Sequence, residues 1–100
     1  MEIGARDREI LLALLARHLP RVEVWAYGSR ISGSARPDSD LDLAIFVRAD
    51  QRLQVSILRE ALEESGLSFR VDLLAWDSLP ESFKANIKAS PVEIVAKAEV

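Results

Sequence analysis

Gly28-Ser29-Arg30-Ile31-Ser32-Gly33-Ser34-Ala35-Arg36-Pro37-Asp38-Ser39-Asp40-Leu41-Asp42-Leu43 joins a polar loop to a strand, and the junction decides how the rest of the chain is read. The first part, as far as Ser39, is rich in Gly, Ser, Arg and Pro. It is too polar for core and too short to link domains, with room for a brief helical turn after Ser29. From Asp40 to Val47 the pattern has period two, with Leu41, Leu43 and Ile45 on one side and Asp40, Asp42 and Ala44 on the other. Two acids one residue apart on a strand share a face, their Cα atoms about 6.5 Å apart.

Outward from this junction, period two also runs through Arg21 to Tyr27, where Val22, Val24 and Ala26 oppose Glu23, Trp25 and Tyr27. Before it, Ile10, Leu11, Leu14 and Leu15 recur at helical spacing between Asp7 and Leu19, and Pro20 ends the run. On the other side the spacing predicts a helix over 51–65, with Asp50 as N-cap, Leu53, Ile57, Leu58 and Leu62 on one face, and Gly66 as its stop. Ser68 to Trp76 reads as a third strand, with Phe69, Val71 and Leu73 opposed to Arg70, Asp72 and Leu74. Asp77 or Ser78 is expected to cap a last helix from Pro80 to about Ala89, and Val92 to Val95 to form an edge strand after Pro91. This order describes an α+β (α/β) domain, one unit over residues 1–100, without internal repeats.

Composition narrows the function. Apolar residues make up 49% of the chain and charged residues 29%, a balance that folds. Thirteen Lys and Arg against 16 Asp and Glu leave a net charge of −3, which argues against direct nucleic-acid binding through a broad basic face. Without cysteine there are no disulfides and no thiolate metal sites. No signal-peptide pattern and no membrane-length apolar run occur, so no membrane is involved and a cytoplasmic location is expected.

The chemistry is carried by acids and the loop beside them. Pairing of the third strand with the second would bring Asp72 next to Asp40 and Asp42. At an effective dielectric of 20, two carboxylates about 5 Å apart repel by roughly 3 kcal/mol, which divalent cations relieve. Oxygen donors without His or Cys suit Mg2+, or Mn2+ in its place, hard ions whose shells substrate phosphates complete. Gly28 permits close backbone approach, and Ser29 offers a hydroxyl and an amide to phosphate oxygens. Arg30 and Arg36 add positive charge, and Gly33 permits a tight loop. Other readings fit less well. An EF-hand starting at Asp38 would have Leu43 where Gly is needed and Ala49 where Glu is needed, and a P-loop starting at Gly28 would have Ser34 and Ala35 where Lys and Ser or Thr are required. His18 and the charges between Arg59 and Glu64 read as structural or solvated, and Trp25, Tyr27 and Trp76 as packing residues.

The run Gly28-Ser29-Arg30-Ile31-Ser32-Gly33, followed by Ser39-Asp40-Leu41-Asp42-Leu43, resembles the G-S-x-x-x-G…S-D-x-D-[LI] signature of polymerase-beta-type nucleotidyltransferases. Asp72, within Arg70-Val71-Asp72-Leu73-Leu74, falls where that superfamily carries its third carboxylate, and the length looks like that of the minimal nucleotidyltransferase (MNT) group, often found beside a HEPN protein. The resemblance implies a small mixed β-sheet with helices mainly on one face, and two Mg2+ ions held by Asp40, Asp42 and Asp72. It further implies a nucleoside triphosphate, ATP by preference, on Gly28, Ser29, Arg30, Gly33 and Ser39. On the same ground the acceptor is a tyrosine of a HEPN toxin, which AMP silences. Two readings stay open here: an enzyme that transfers AMP, and a non-catalytic nucleotide-binding antitoxin that neutralises its partner by occupying it. An apolar strip on the last helix or terminal strand also leaves a homo-oligomer open.

Overall fold

The computed structural model describes residues 1–98. Its elements follow in the order α1 (Ala5–His18), β1 (Val24–Tyr27), α2 (Ser29–Ser32), β2 (Leu41–Ile45), α3 (Arg52–Glu64), β3 (Val71–Ala75), α4 (Glu81–Ala89) and β4 (Glu93–Ala96), with 3₁₀ turns at Ala49–Gln51 and Trp76–Ser78.

The four strands form one mixed sheet in the order β3-β2-β1-β4. β1 runs antiparallel to β2 and to β4, whereas β2 and β3 are parallel. A parallel pair cannot be joined by a tight turn, and α3 supplies the crossover. The long connection from β1 to β2 is the polar loop, with α2 as its only regular turn.

Period two separates the faces of the sheet. Val24, Ala26, Leu41, Leu43, Ile45 and Leu73 are buried on one face, against Leu11 and Leu15 of α1 and Val55, Leu58 and Leu62 of α3. The other face carries Trp25, Ala44 and Leu74 in one row across the strands and Tyr27, Asp42 and Asp72 in the next. α4 lies over this second face: Phe83 meets Tyr27 edge-on, and Lys84 and Lys88 place their ammonium groups 5.8 and 5.6 Å from the Trp76 ring. Two long helices on one side and one short helix on the other make the helical layer mainly one-sided, as expected.

Three local expectations are corrected. Asp50 does not cap α3: it lies within the 3₁₀ turn and pairs with Arg48 at 3.1 Å, while the Gln51 side chain accepts the Arg48 amide at 2.9 Å. The helix also turns a narrower stripe to the sheet than its apolar pattern suggests. Val55 is buried with Leu58 and Leu62, but Leu53 and Ile57, a second i,i+4 row, are 68% and 42% exposed. Nor do Asp77 or Ser78 cap α4, because both sit in the 3₁₀ turn and Pro80 occupies the N-cap with no side-chain hydrogen bond. Among the described residues no helix is long and apolar enough to cross a membrane.

Candidate active site

Strand register assembles the acids. Tyr27 of β1 is opposite Asp42 of β2, and Asp42 is in turn beside Asp72 of β3, so three polar side chains lie in one row on the face away from the main core. Asp40 stands two residues before Asp42, and the amide of the intervening Leu41 donates to the Arg70 carbonyl at 2.9 Å, which carries the β2–β3 pairing to the strand start. The buried residues alternate with the acids: Leu41 and Leu43 are fully buried, Asp42 is half-buried, and Asp40 and Asp72 are exposed.

This arrangement strains Asp42 electrostatically. Its carboxyl is pushed above the ordinary value by burial first, then by the charges of Asp72 and Asp40. Tyr27 feels the same field, its phenol raised to about 12 by burial, Asp42 and Asp72 in that order. A half-buried carboxylate facing two like charges is a donor that a divalent cation would satisfy. Among the described residues no group of three His, Cys, Asp or Glu side chains is placed to hold a metal ion, so outside oxygens would have to supply most of a coordination shell.

The loop touches the acids at Gly28. Its φ of 86° and ψ of −158° suit glycine, and a Cβ there would stand 2.5 Å from Asp42 Oδ2. The Gly28 carbonyl accepts the amides of Ile31 and Ser32, both at 3.0 Å, and so starts α2. Gly33, at φ 87°, is the left-handed cap that ends α2, with open space around it and no approach to the acids.

Arg30 corrects an expectation. It is 6% exposed, and it does not present its guanidinium to a ligand. Nε and Nη2 donate to the Ser39 carbonyl at 2.9 and 2.8 Å, Nη2 also to the Pro37 carbonyl at 3.2 Å, and Nη1 to the Glu2 carbonyl at 2.8 Å, while the group lies 4.3 Å from the Phe69 ring centroid. A buried cation needs such partners, and the loop carbonyls supply them. Arg30 thereby ties the loop to the strand start. Ser39 shares the task, its hydroxyl accepting the Arg36 amide at 2.8 Å and its own amide donating to the Arg36 carbonyl at 3.0 Å.

Between the loop and α4 opens a cavity of about 380 Å3, within the range of small-molecule sites. Tyr27, Gly28, Ser29 and Ser32 line one side, and Phe83 and Asn86 the other. Sequence reasoning left Phe83 and Asn86 without a role; the alternation that put Tyr27 on the acid-bearing face was the one signal pointing here. A larger hollow of about 520 Å3 beside α3 and β3 includes Asp72 but neither Gly28 nor Ser29. The smaller cavity is the one that the loop residues Gly28 and Ser29 line, and none of the three acids is in its wall.

The sequence matches the family described as polymerase beta, nucleotidyltransferase over residues 11–100. It is 39% identical over 98 residues, 97% of this chain and 86% of the relative, to a protein of Haemophilus influenzae described as the protein adenylyltransferase MntA. Among solved structures, a protein described as a minimal nucleotidyltransferase is 34% identical and covers 87% of each chain with a TM-score of 0.62. Two more distant likenesses bear on the fold alone. One is a toxin–antitoxin structure with AMP-PNP, at 18% identity, TM-score 0.61, 92% of this chain and 74% of that one. The other is the complex of tri-AMPylated Shewanella oneidensis HEPN toxin with MNT antitoxin, at 16% identity, TM-score 0.53, 92% of this chain and 71% of that one.

Proposed function

Because the chain belongs to the polymerase beta nucleotidyltransferase family, we propose that it is an adenylyltransferase that moves AMP from ATP to a hydroxyl of a HEPN-type toxin and so neutralises it. The observation that carries this reading is the pair Asp42–Asp72, with Asp40 two residues before Asp42 on the same chain segment and Gly28 against Asp42. The HEPN partner is supported by the MNT antitoxin solved in complex with such a toxin, and ATP by the relative described as an adenylyltransferase.

Asp40, Asp42 and Asp72 would hold two Mg2+ ions, with Mn2+ as a substitute. When bound, such ions neutralise phosphate charge and lower the pKa of an acceptor hydroxyl. The chain's own residues do the rest by positioning. Gly28, lacking a side chain where Asp42 is closest, lets a phosphate approach the backbone. Ser29 offers its hydroxyl to the triphosphate. Arg30 and Ser39 hold the loop in register with β2 and act through it, and Gly33 ends α2 so that the loop can turn back. The acceptor hydroxyl gives up its proton to solvent as its oxygen bonds to the α-phosphorus, the bond from that phosphorus to the bridging oxygen breaks, and pyrophosphate leaves with that oxygen. Little covalent work falls to the protein, so alignment and charge are the catalytic contribution.

The test is transfer of label from α-labelled ATP with Mg2+ to a HEPN-type toxin. Asp40→Asn and Asp42→Asn are each expected to lower transfer about a hundredfold or more. Undiminished transfer by both variants would exclude the mechanism. A wild-type chain that inhibits the toxin without transferring label would instead be a binding antitoxin.

A further inference from the structure

We propose that the cavity between β1 and α4 is the base subsite of the nucleotide, with adenine stacked on Phe83 and selected by the Asn86 side chain. This rests on the nucleotidyl-transfer reading above and extends it to the part of the substrate that does not react.

Continuity, stacking surface and hydrogen bonding all point the same way. Gly28 and Ser29 line the cavity, so a nucleotide with its phosphates at that turn would have its base directed along α4. The far wall holds Phe83, 39% exposed and set at 86° to Tyr27 with ring centroids 6.4 Å apart, so the Tyr27 ring meets it edge-on and does not stack on it. An exposed ring lining a hollow is a stacking surface for a base. One turn along, the exposed Asn86 also lines the cavity; its backbone carbonyl accepts the Ser90 hydroxyl at 2.8 Å, and among the described residues nothing engages its side-chain amide, which is open to solvent or to a ligand. An asparagine amide pairs with adenine at both N6 and N7, donating to one and accepting from the other. Guanine presents acceptors at both places, so the Asn86 amide oxygen would face an acceptor with no proton between them.

Titration calorimetry with Mg2+ and ATP, GTP or inorganic tripolyphosphate tests this on the full chain. Asn86→Leu is expected to weaken ATP binding about fivefold or more and leave GTP nearly unchanged, so that the preference collapses. Phe83→Ala is expected to weaken ATP and GTP alike by about fivefold or more, because stacking accepts any base. Tripolyphosphate binding should be unaltered in both variants, which also shows that they are folded. An unchanged ATP-to-GTP ratio in Asn86→Leu, or unchanged affinities in Phe83→Ala, would overturn the subsite. If Asp42→Asn still abolished tripolyphosphate binding in that case, the nucleotidyl-transfer reading would survive. A wild-type chain that binds neither ATP nor tripolyphosphate would overturn both.

Discussion

Tyr27 is the chain's one tyrosine, so its ionisation can be followed without ambiguity by the ultraviolet absorbance of the phenolate. With chelator present, the midpoint is expected near 12 in place of the ordinary 10. Asp42→Asn should bring it part of the way back, since burial and the charge of Asp72 would remain and that of Asp42 would not. The sign for stability follows: the unfolded chain gives up this proton first, so stability is unaffected below pH 10 and falls as pH rises above it. A midpoint at 10 would mean that Tyr27 does not share the field of the acids. Arg30 makes a second prediction at this scale. Arg30→Met leaves the Ser39, Pro37 and Glu2 carbonyls without their donor and should lower stability by about 1–3 kcal/mol in urea unfolding. Its role was hidden in the sequence, because an arginine in a glycine-rich loop has the same letter whether it faces a phosphate or folds back onto carbonyls. Only the position of Glu2, brought in from the N-terminus, and of Phe69 decides between the two.

Among the elements, α3 links the strands that carry the acids, and its buried stripe sets how the crossover lies on the sheet. Leu58→Ala is expected to cost about 2–5 kcal/mol and to weaken nucleotide binding with it. Leu53→Ala, at a solvated position, should change stability by less than about 0.5 kcal/mol in the same denaturant series. Comparable losses from both would contradict the observed face of the helix. The contrast shows what was legible. Strand alternation identified the buried Leu41, Leu43, Val24 and Ala26 directly, since a strand has only two faces. The helix offered two overlapping apolar rows, and choosing between 53–57 and 55–58–62 requires knowing which one the sheet covers. The pairing of β2 with β3 was likewise an assumption from the acids, and its parallel sense and the register of Asp42 beside Asp72 supply what period two could not.

The whole molecule divides its labour between the two faces of one sheet. One face, filled by α1 and α3, carries most of the core, while the other bears the acids at one end and the aromatic residues Trp25, Phe46 and Trp76 at the other. The loop signature, Asp40 and Asp42 were readable because they lie within a short stretch of chain. The cavity was not, because Tyr27 and Phe83 come from distant segments joined only by the fold. Trp25 and Trp76 are the chain's two tryptophans, their ring centroids are 5.4 Å apart, and Trp76 lies beneath the lysines of the same helix that walls the cavity. Indole emission therefore comes from a single spot that senses the seating of α4. A ligand that shifts this helix would change the intensity and colour of that light, giving the protein a built-in optical gauge that needs no attached dye.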